Sequence, residues 1–246
     1  MGDDAQPPAG EHPLVGTVLA ERYRVDRFLG SGGMGAVYLG EHILMRKAVA
    51  LKVLHRDMTV HAEVVARFER EAVAAGRIDH PNVAAASDFG RLADGSFYLV
   101  LEYVDGRSLA SLIDEGPIEL GRTLAIAEQV ASALVAAHVA GIVHRDLKPD
   151  NVMLVRSADG ADHVKVLDFG IAKVAGQEAD GAASENGRQL TRVGAVMGTV
   201  GYMAPEQALG QAVDHRADLY AFGVLLYEMV AGTRPFVAEE LSQVIA

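Results

Sequence analysis

The chain has 246 residues, half of them hydrophobic, enough to bury one large core or two small ones; a short disulfide scaffold and a disordered polymer are excluded. It contains no Cys, which rules out disulfides, Cys-ligated zinc and thiol nucleophiles, and its nine His show no HExxH or other metal-ligand spacing. A formal charge of −11, with no Lys/Arg stripe interleaved with aromatics, argues against nucleic acid as a partner.

Residues 1–13, MGDDAQPPAGEHP, are polar and Pro-rich without an apolar run, so they predict a flexible leader and not a signal peptide, with order starting near Leu14. From Tyr23 to Leu54, β-branched and aromatic runs alternate with Gly-rich or polar turns (YRVDRFLG, AVYLGEH, KAVALKVL), the pattern of an antiparallel meander. Val60 to Arg77 places Val64, Val65, Phe68, Ala72 and Ala75 at helical spacing, and Asp79-His80-Pro81-Asn82 ends that helix. Two further strands are predicted over 84–91 and 96–103 before Asp105-Gly106 interrupts the chain. Helical patterns then dominate, first over 109–113 and 120–140. The expected fold class is therefore α+β, with a sheet domain over 14–104 and a mostly helical one over 105–246. The most apolar stretches, 125–143 and 219–232, are interrupted by Glu128, Gln129 and His138 or by Glu228, so no membrane span is expected. The polar run AGQEADGAASENGRQ has no apolar period and predicts a mobile loop.

Several short stretches carry chemistry. Gly30, Gly32 and Gly35 in LGSGGMGAV satisfy GxGxxG, a spacing that lets backbone amides approach phosphates without a Cβ in the way. AVYLG after it is strand-like where a dinucleotide-binding fold needs a helix, and Ala36-Val37 stand where a Walker A loop needs Lys-Ser/Thr; an ordinary glycine hairpin remains open. Lys52 shares a strand face with Ala50, opposite Leu51 and Val53. An ammonium among such neighbours needs a carboxylate or phosphate, and Glu71 on the following helix is the candidate, unless Lys52 reaches solvent from an edge strand. His144-Arg145-Asp146-Leu147-Lys148-Pro149-Asp150-Asn151 gathers acids, cations and a carboxamide after a long helix. Seventeen residues past Asn151, Asp168-Phe169-Gly170 closes a strand-like run, so an Asn and an Asp can offer hard oxygen ligands to a divalent ion.

LGSGGMGAV, VALK, HRDLKPDN, DFG and APE, in that order, resemble the signature set of protein kinases, over a span from about Tyr23 to the end. Lys148 after the Asp is similar to the Ser/Thr class, and VLEYVDG and GYMAPEQ are similar to bacterial members. The resemblance implies a two-lobed fold: a small antiparallel sheet with one helix, then a helical lobe cut short at its C-terminus. It implies ATP and Mg²⁺, with Mn²⁺ an alternative, and transfer of the γ-phosphoryl to Ser/Thr hydroxyls of protein substrates. Leu29, Gly30, Gly32, Gly35, Val37 and Ala50 would enclose the nucleotide, Lys52 oriented by Glu71 would hold its phosphates, and Glu102 and Val104 would bond adenine above Met153. Asp146 would take the hydroxyl proton, Lys148 would steady the γ-phosphoryl, and Asn151 with Asp168 would ligate the metal.

Through the resemblance, Arg145 beside Asp146 implies activation by loop phosphorylation, with Thr191 the leading acceptor unless it is an unmodified surface Thr, autophosphorylation in trans through self-association, and Thr199 against Asp146 and Lys148. Asp218 would bond the catalytic-loop backbone, and Glu206 would lack a partner that relatives place on a later helix. The resemblance further implies a cytoplasmic domain, with a longer protein anchored in a membrane through a segment after Ala246. A pseudokinase usually lacks one of Lys52, Asp146 or Asn151, all present here. A small-molecule phosphotransferase lacks the full activation segment and APE.

Overall fold

The computed structural model describes residues 12–32, 35–158, 160–169 and 200–236. Thr191, Thr199 and the polar run expected to form a mobile loop lie outside the described residues. The chain divides into two units, one of Met1–Gly76 with Ala85–Tyr103, the other of Arg77–Ala84 with Val104–Ala246.

The first unit holds β1 (Val18–Leu19), β2 (Tyr23–Ser31), β3 (Gly35–His42), β4 (Lys47–Leu54), α1 (Ala62–Ala75), β5 (Ala86–Arg91) and β6 (Phe97–Glu102). The strands form one antiparallel sheet in the order β1-β2-β3-β4-β6-β5. Alternation sends Tyr38, Leu51, Val53, Tyr98 and Val100 into one core on one face. Register sets Val37 against Lys52 and Lys52 against Leu99, and likewise Leu39, Ala50 and Leu101, so these six share the other face. There α1 buries Phe68 and Ala72 in a second cluster with Leu54 and Leu99. Burying a ring such as Phe68 stabilises by roughly 1.5–3 kcal/mol, enough to fix the helix on the sheet. His12 stacks on Phe28 at 4.2 Å between ring centroids, so packed chain includes His12, two residues ahead of the expected Leu14.

The second unit holds β7 (Arg107–Ser108), α2 (Leu109–Ile113), α3 (Leu120–Val139), β8 (Val152–Arg156), β9 (Asp162–Val166), α4 (Pro205–Ala208) and α5 (Arg216–Ala231). β7, β8 and β9 make a small antiparallel sheet in that order. Glu119 caps α3 by accepting the N–H groups of Gly121 (2.8 Å) and Arg122 (3.0 Å). α3 is long and apolar enough to cross a membrane by length and composition. It buries Ile126, Val130, Ala133, Leu134 and Ala137 within the unit and packs on β9 and α5, which is the behaviour of a core helix.

Arg77–Ala84 departs from the expected boundaries, because this stretch, read as part of a continuous sheet domain, folds with the second unit. The Asn82 amide donates to the Val164 carbonyl (2.8 Å) and to Gln129 Oε1 (3.0 Å), and the Val166 N–H donates to the Asn82 carbonyl (2.8 Å). The strand predicted from residue 84 consequently starts at Ala86.

Candidate active site

In the first unit the glycine-rich stretch turns between β2 and β3, where the Gly32 N–H donates to the Gly35 carbonyl at 2.8 Å. The three glycines serve different ends. A Cβ on Gly35 would lie 2.3 Å from the Val53 carbonyl oxygen, so Gly35 is required by the approach of β3 to β4. Among the described residues, a Cβ on Gly30 or Gly32 would meet nothing within 4 Å. Without a Cβ at either position, a ligand can approach this end of the strand closely. Leu29 is exposed at the end of β2, while Val37 and Ala50 are half-buried on the sheet face that also carries Lys52.

Lys52 and Glu71 are both buried, at 9% and 2% exposure, and neither lacks a partner. Lys52 lies on a central strand, which removes the alternative of an edge lysine reaching solvent. Glu71 occupies the α1 turn beside Ala72, which packs in the cluster holding Leu99, the cross-strand neighbour of Lys52. At the end of β6 the Glu102 N–H donates to the Ala85 carbonyl (2.8 Å), so that N–H is already engaged within the sheet. Val104 is buried and belongs to the second unit, as does Met153, half-buried on β8.

The second unit builds its loop around Asp218. This carboxylate, 1% exposed at the start of α5, accepts the N–H groups of His144 and Arg145, each at 2.8 Å, and bonds His138 Nε2 at 2.7 Å. Gln207 secures the other side of Arg145, donating to its carbonyl at 2.9 Å while accepting the Ala204 N–H at 3.1 Å. Held from both sides, Arg145 sits at φ +64, a left-handed backbone costing about 1–3 kcal/mol in a non-glycine residue. Its Nε is buried without a hydrogen-bond partner among the described residues.

His144 is fully buried. Its Nδ1 accepts the Asp146 N–H (3.3 Å) and its Nε2–H donates to the Leu167 carbonyl (2.9 Å), a pattern only the neutral ring can make. Burial pushes its pKa down, outweighing the pull of Asp218. The Lys148 ammonium lies 3.1 Å from Asp146 Oδ2. Asn151 donates through Nδ2 to the Asp146 carbonyl (2.8 Å), leaving Oδ1 as the atom it can turn to a cation. Asp168, at φ +56, is the second strained non-glycine residue here, and Phe169 after it packs its ring 4.7 Å from that of His144.

Among the described residues no three His, Asp or Glu side chains cluster as a ready metal cage. An Asn oxygen and an Asp carboxylate instead suit Mg²⁺, which keeps few protein ligands and takes the rest from phosphates and water. His138, Gln207 and the Asn82–Gln129 link were not identified as supports from the sequence. His138 registers there only as a polar interruption of an apolar helix.

A six-stranded antiparallel sheet with a bare glycine turn and a buried lysine, and a helical unit whose loop assembles Asp, Lys and Asn, define the class of this α+β protein. The protein kinase domain family matches residues 23–245, and the chain belongs to that family. The serine/threonine-protein kinase pkn3 of Myxococcus xanthus is 46% identical over 226 residues, covering 92% of this chain and 40% of that protein. PrkC, a serine/threonine-protein kinase of Bacillus subtilis, is 38% identical over 92% of this chain and 33% of its own length. The solved kinase domain of Mycobacterium tuberculosis PknI aligns with a TM-score of 0.67 at 32% identity, over 92% of this chain and 83% of that one. The chain thus spans well under half the length of these two curated relatives.

Proposed function

We propose that the chain is the catalytic domain of a Ser/Thr protein kinase that moves the γ-phosphoryl of MgATP to Ser or Thr hydroxyls of protein substrates. The observation that carries this is the Asp146 carboxylate, 3.1 Å from the Lys148 ammonium, on a loop hung from buried Asp218. In this role Asp146 takes the hydroxyl proton as the hydroxyl oxygen bonds to phosphorus. The bond from phosphorus to the bridging oxygen breaks, and that oxygen leaves with ADP. Lys148 offsets charge on the moving group, and Lys52, oriented by Glu71, holds the remaining phosphates. Asn151 Oδ1 and Asp168 would hold Mg²⁺ or Mn²⁺, which when bound neutralises and orients phosphate oxygens. The missing Cβ at Gly30 and Gly32 allows those oxygens a close approach, and Leu29, Val37, Ala50 and Met153 give adenine apolar surface, with Glu102 and Val104 its backbone partners.

Arg145 is the receiver of an activating phosphate in this proposal. Its buried Nε is the feature that favours the role, and Thr191 is the acceptor, modified by another copy of the chain. Thr199 steadies Asp146 and Lys148. Thr191→Ala is expected to lower activity several-fold, and undiminished activity would remove Thr191 from the scheme. The domain works in the cytoplasm, where ATP is supplied.

Mapping phosphorylated residues by mass spectrometry after incubation with MgATP tests the assignment. Phosphate on Ser and Thr, absent from Asp146→Asn, is the expected result. No incorporation by a chain that binds ATP would identify a pseudokinase instead.

A further inference from the structure

We propose that the cleft lined by β7, α3, β8 and β9 binds an anionic side chain of a peptide, phosphorylated or carboxylated, through Arg107, Arg122 and Arg156. The cleft has a volume of about 500 Å³, within the range of real ligand sites. It is walled by Asp105, Gly106, Arg107, Arg122, Arg156 and Asp162, with Leu154 and Val155 as its apolar part. None of these residues belongs to the candidate catalytic set, although Asp105 follows Val104 and Leu154 follows Met153 in the chain.

Its charges are arranged with donors to spare. Asp162, whose side chain is 8% exposed, takes Arg122 Nε (2.6 Å) and Nη2 (3.0 Å) and also Arg156 Nη1 (3.2 Å). One carboxylate therefore fixes two guanidiniums and leaves that end with a surplus positive charge. The two arginines hold its carboxyl below the usual carboxylate range, Arg122 most strongly, so the clamp stays ionised. The Arg156 side chain is 63% exposed and commits one N–H to Asp162 from a fork of five donors. Arg107 is anchored by Glu115 (2.6 Å), which does not line the cleft. Guanidinium forks held in place by carboxylates recognise phosphate and carboxylate oxygens in paired geometry. In a chain of net charge −11, three arginines around one cleft run against the overall field, so an anionic peptide is held here by local geometry and not by long-range attraction.

The test uses fluorescence anisotropy with one labelled, otherwise neutral peptide carrying phosphothreonine, glutamate or threonine at its centre, titrated with the full chain. The phosphothreonine peptide, the glutamate peptide or both are expected to bind about tenfold or more tighter than the threonine form. A preference for phosphothreonine identifies phosphopeptides as the source; equal binding identifies acidic peptides generally. The double variant R107Q/R156Q, which leaves the Arg122–Asp162 clamp in place, should lose that margin with unchanged thermal unfolding. Asp146→Asn should bind as the parent does. Equal binding of all three peptides, an unaltered margin in the double variant, or loss of binding in Asp146→Asn would each overturn the proposal.

Discussion

At Asp218 one buried carboxylate gathers two backbone N–H groups and an imidazole, and through them sets the turn that points Asp146 and Lys148. Asp218→Ala strands both N–H groups, at roughly 1–3 kcal/mol each. Chemical denaturation should show a loss of that order, with transfer falling more steeply than nucleotide affinity. His144 adds a pH dependence. Its folded pKa lies below the unfolded value of about 6.5, so the unfolded chain binds the proton more readily. Stability from this residue is complete above about pH 6.5 and declines as pH falls toward the folded pKa. His144→Asn should flatten the slope of unfolding free energy below pH 6.5. A slope that survives the substitution would assign it to other groups. The glycines separate in the same way: Gly35→Ala should lower the melting temperature because of the Val53 carbonyl 2.3 Å away, whereas Gly30→Ala and Gly32→Ala should leave it unchanged and weaken nucleotide binding.

Among the elements, those with a clear period were legible in the amino-acid order. Alternation in KAVALKVL placed Lys52 and Ala50 together on one sheet face, and α2 runs over the residues its spacing predicted. The short pieces were not legible. β1 is two residues long and carries no period, and β7 exists because β8 pairs with it. The Arg77–Ala84 stretch was assigned to the wrong unit because its bonds go to Val164 and Gln129, far along the chain, and a local pattern cannot register them. In the candidate site, motif order marked Asp146, Lys148, Asn151 and Asp168. The clamp of Gln207 on Arg145 spans 62 residues and left no local trace. At this scale α1 is the vulnerable element, fixed on the sheet through Phe68. Phe68→Ala should cost about 3–5 kcal/mol and, by releasing the helix that carries Glu71, weaken nucleotide binding as well. Melting temperature and nucleotide titration of that variant should fall together.

For the whole molecule, a nucleotide that binds the folded chain alone adds stability by mass action, about 2.7 kcal/mol at a hundredfold excess over its Kd. MgATP should therefore raise the melting temperature, and EDTA should reverse most of the rise. The central claim is that Asp146 acts on the acceptor proton and not on nucleotide capture. The most direct measurement compares wild type and Asp146→Asn for both MgATP affinity and the rate of phosphoryl transfer to a Ser/Thr protein. The account predicts unchanged affinity and a rate lower by about 10²–10⁴. A variant that transfers phosphate at the wild-type rate would contradict it.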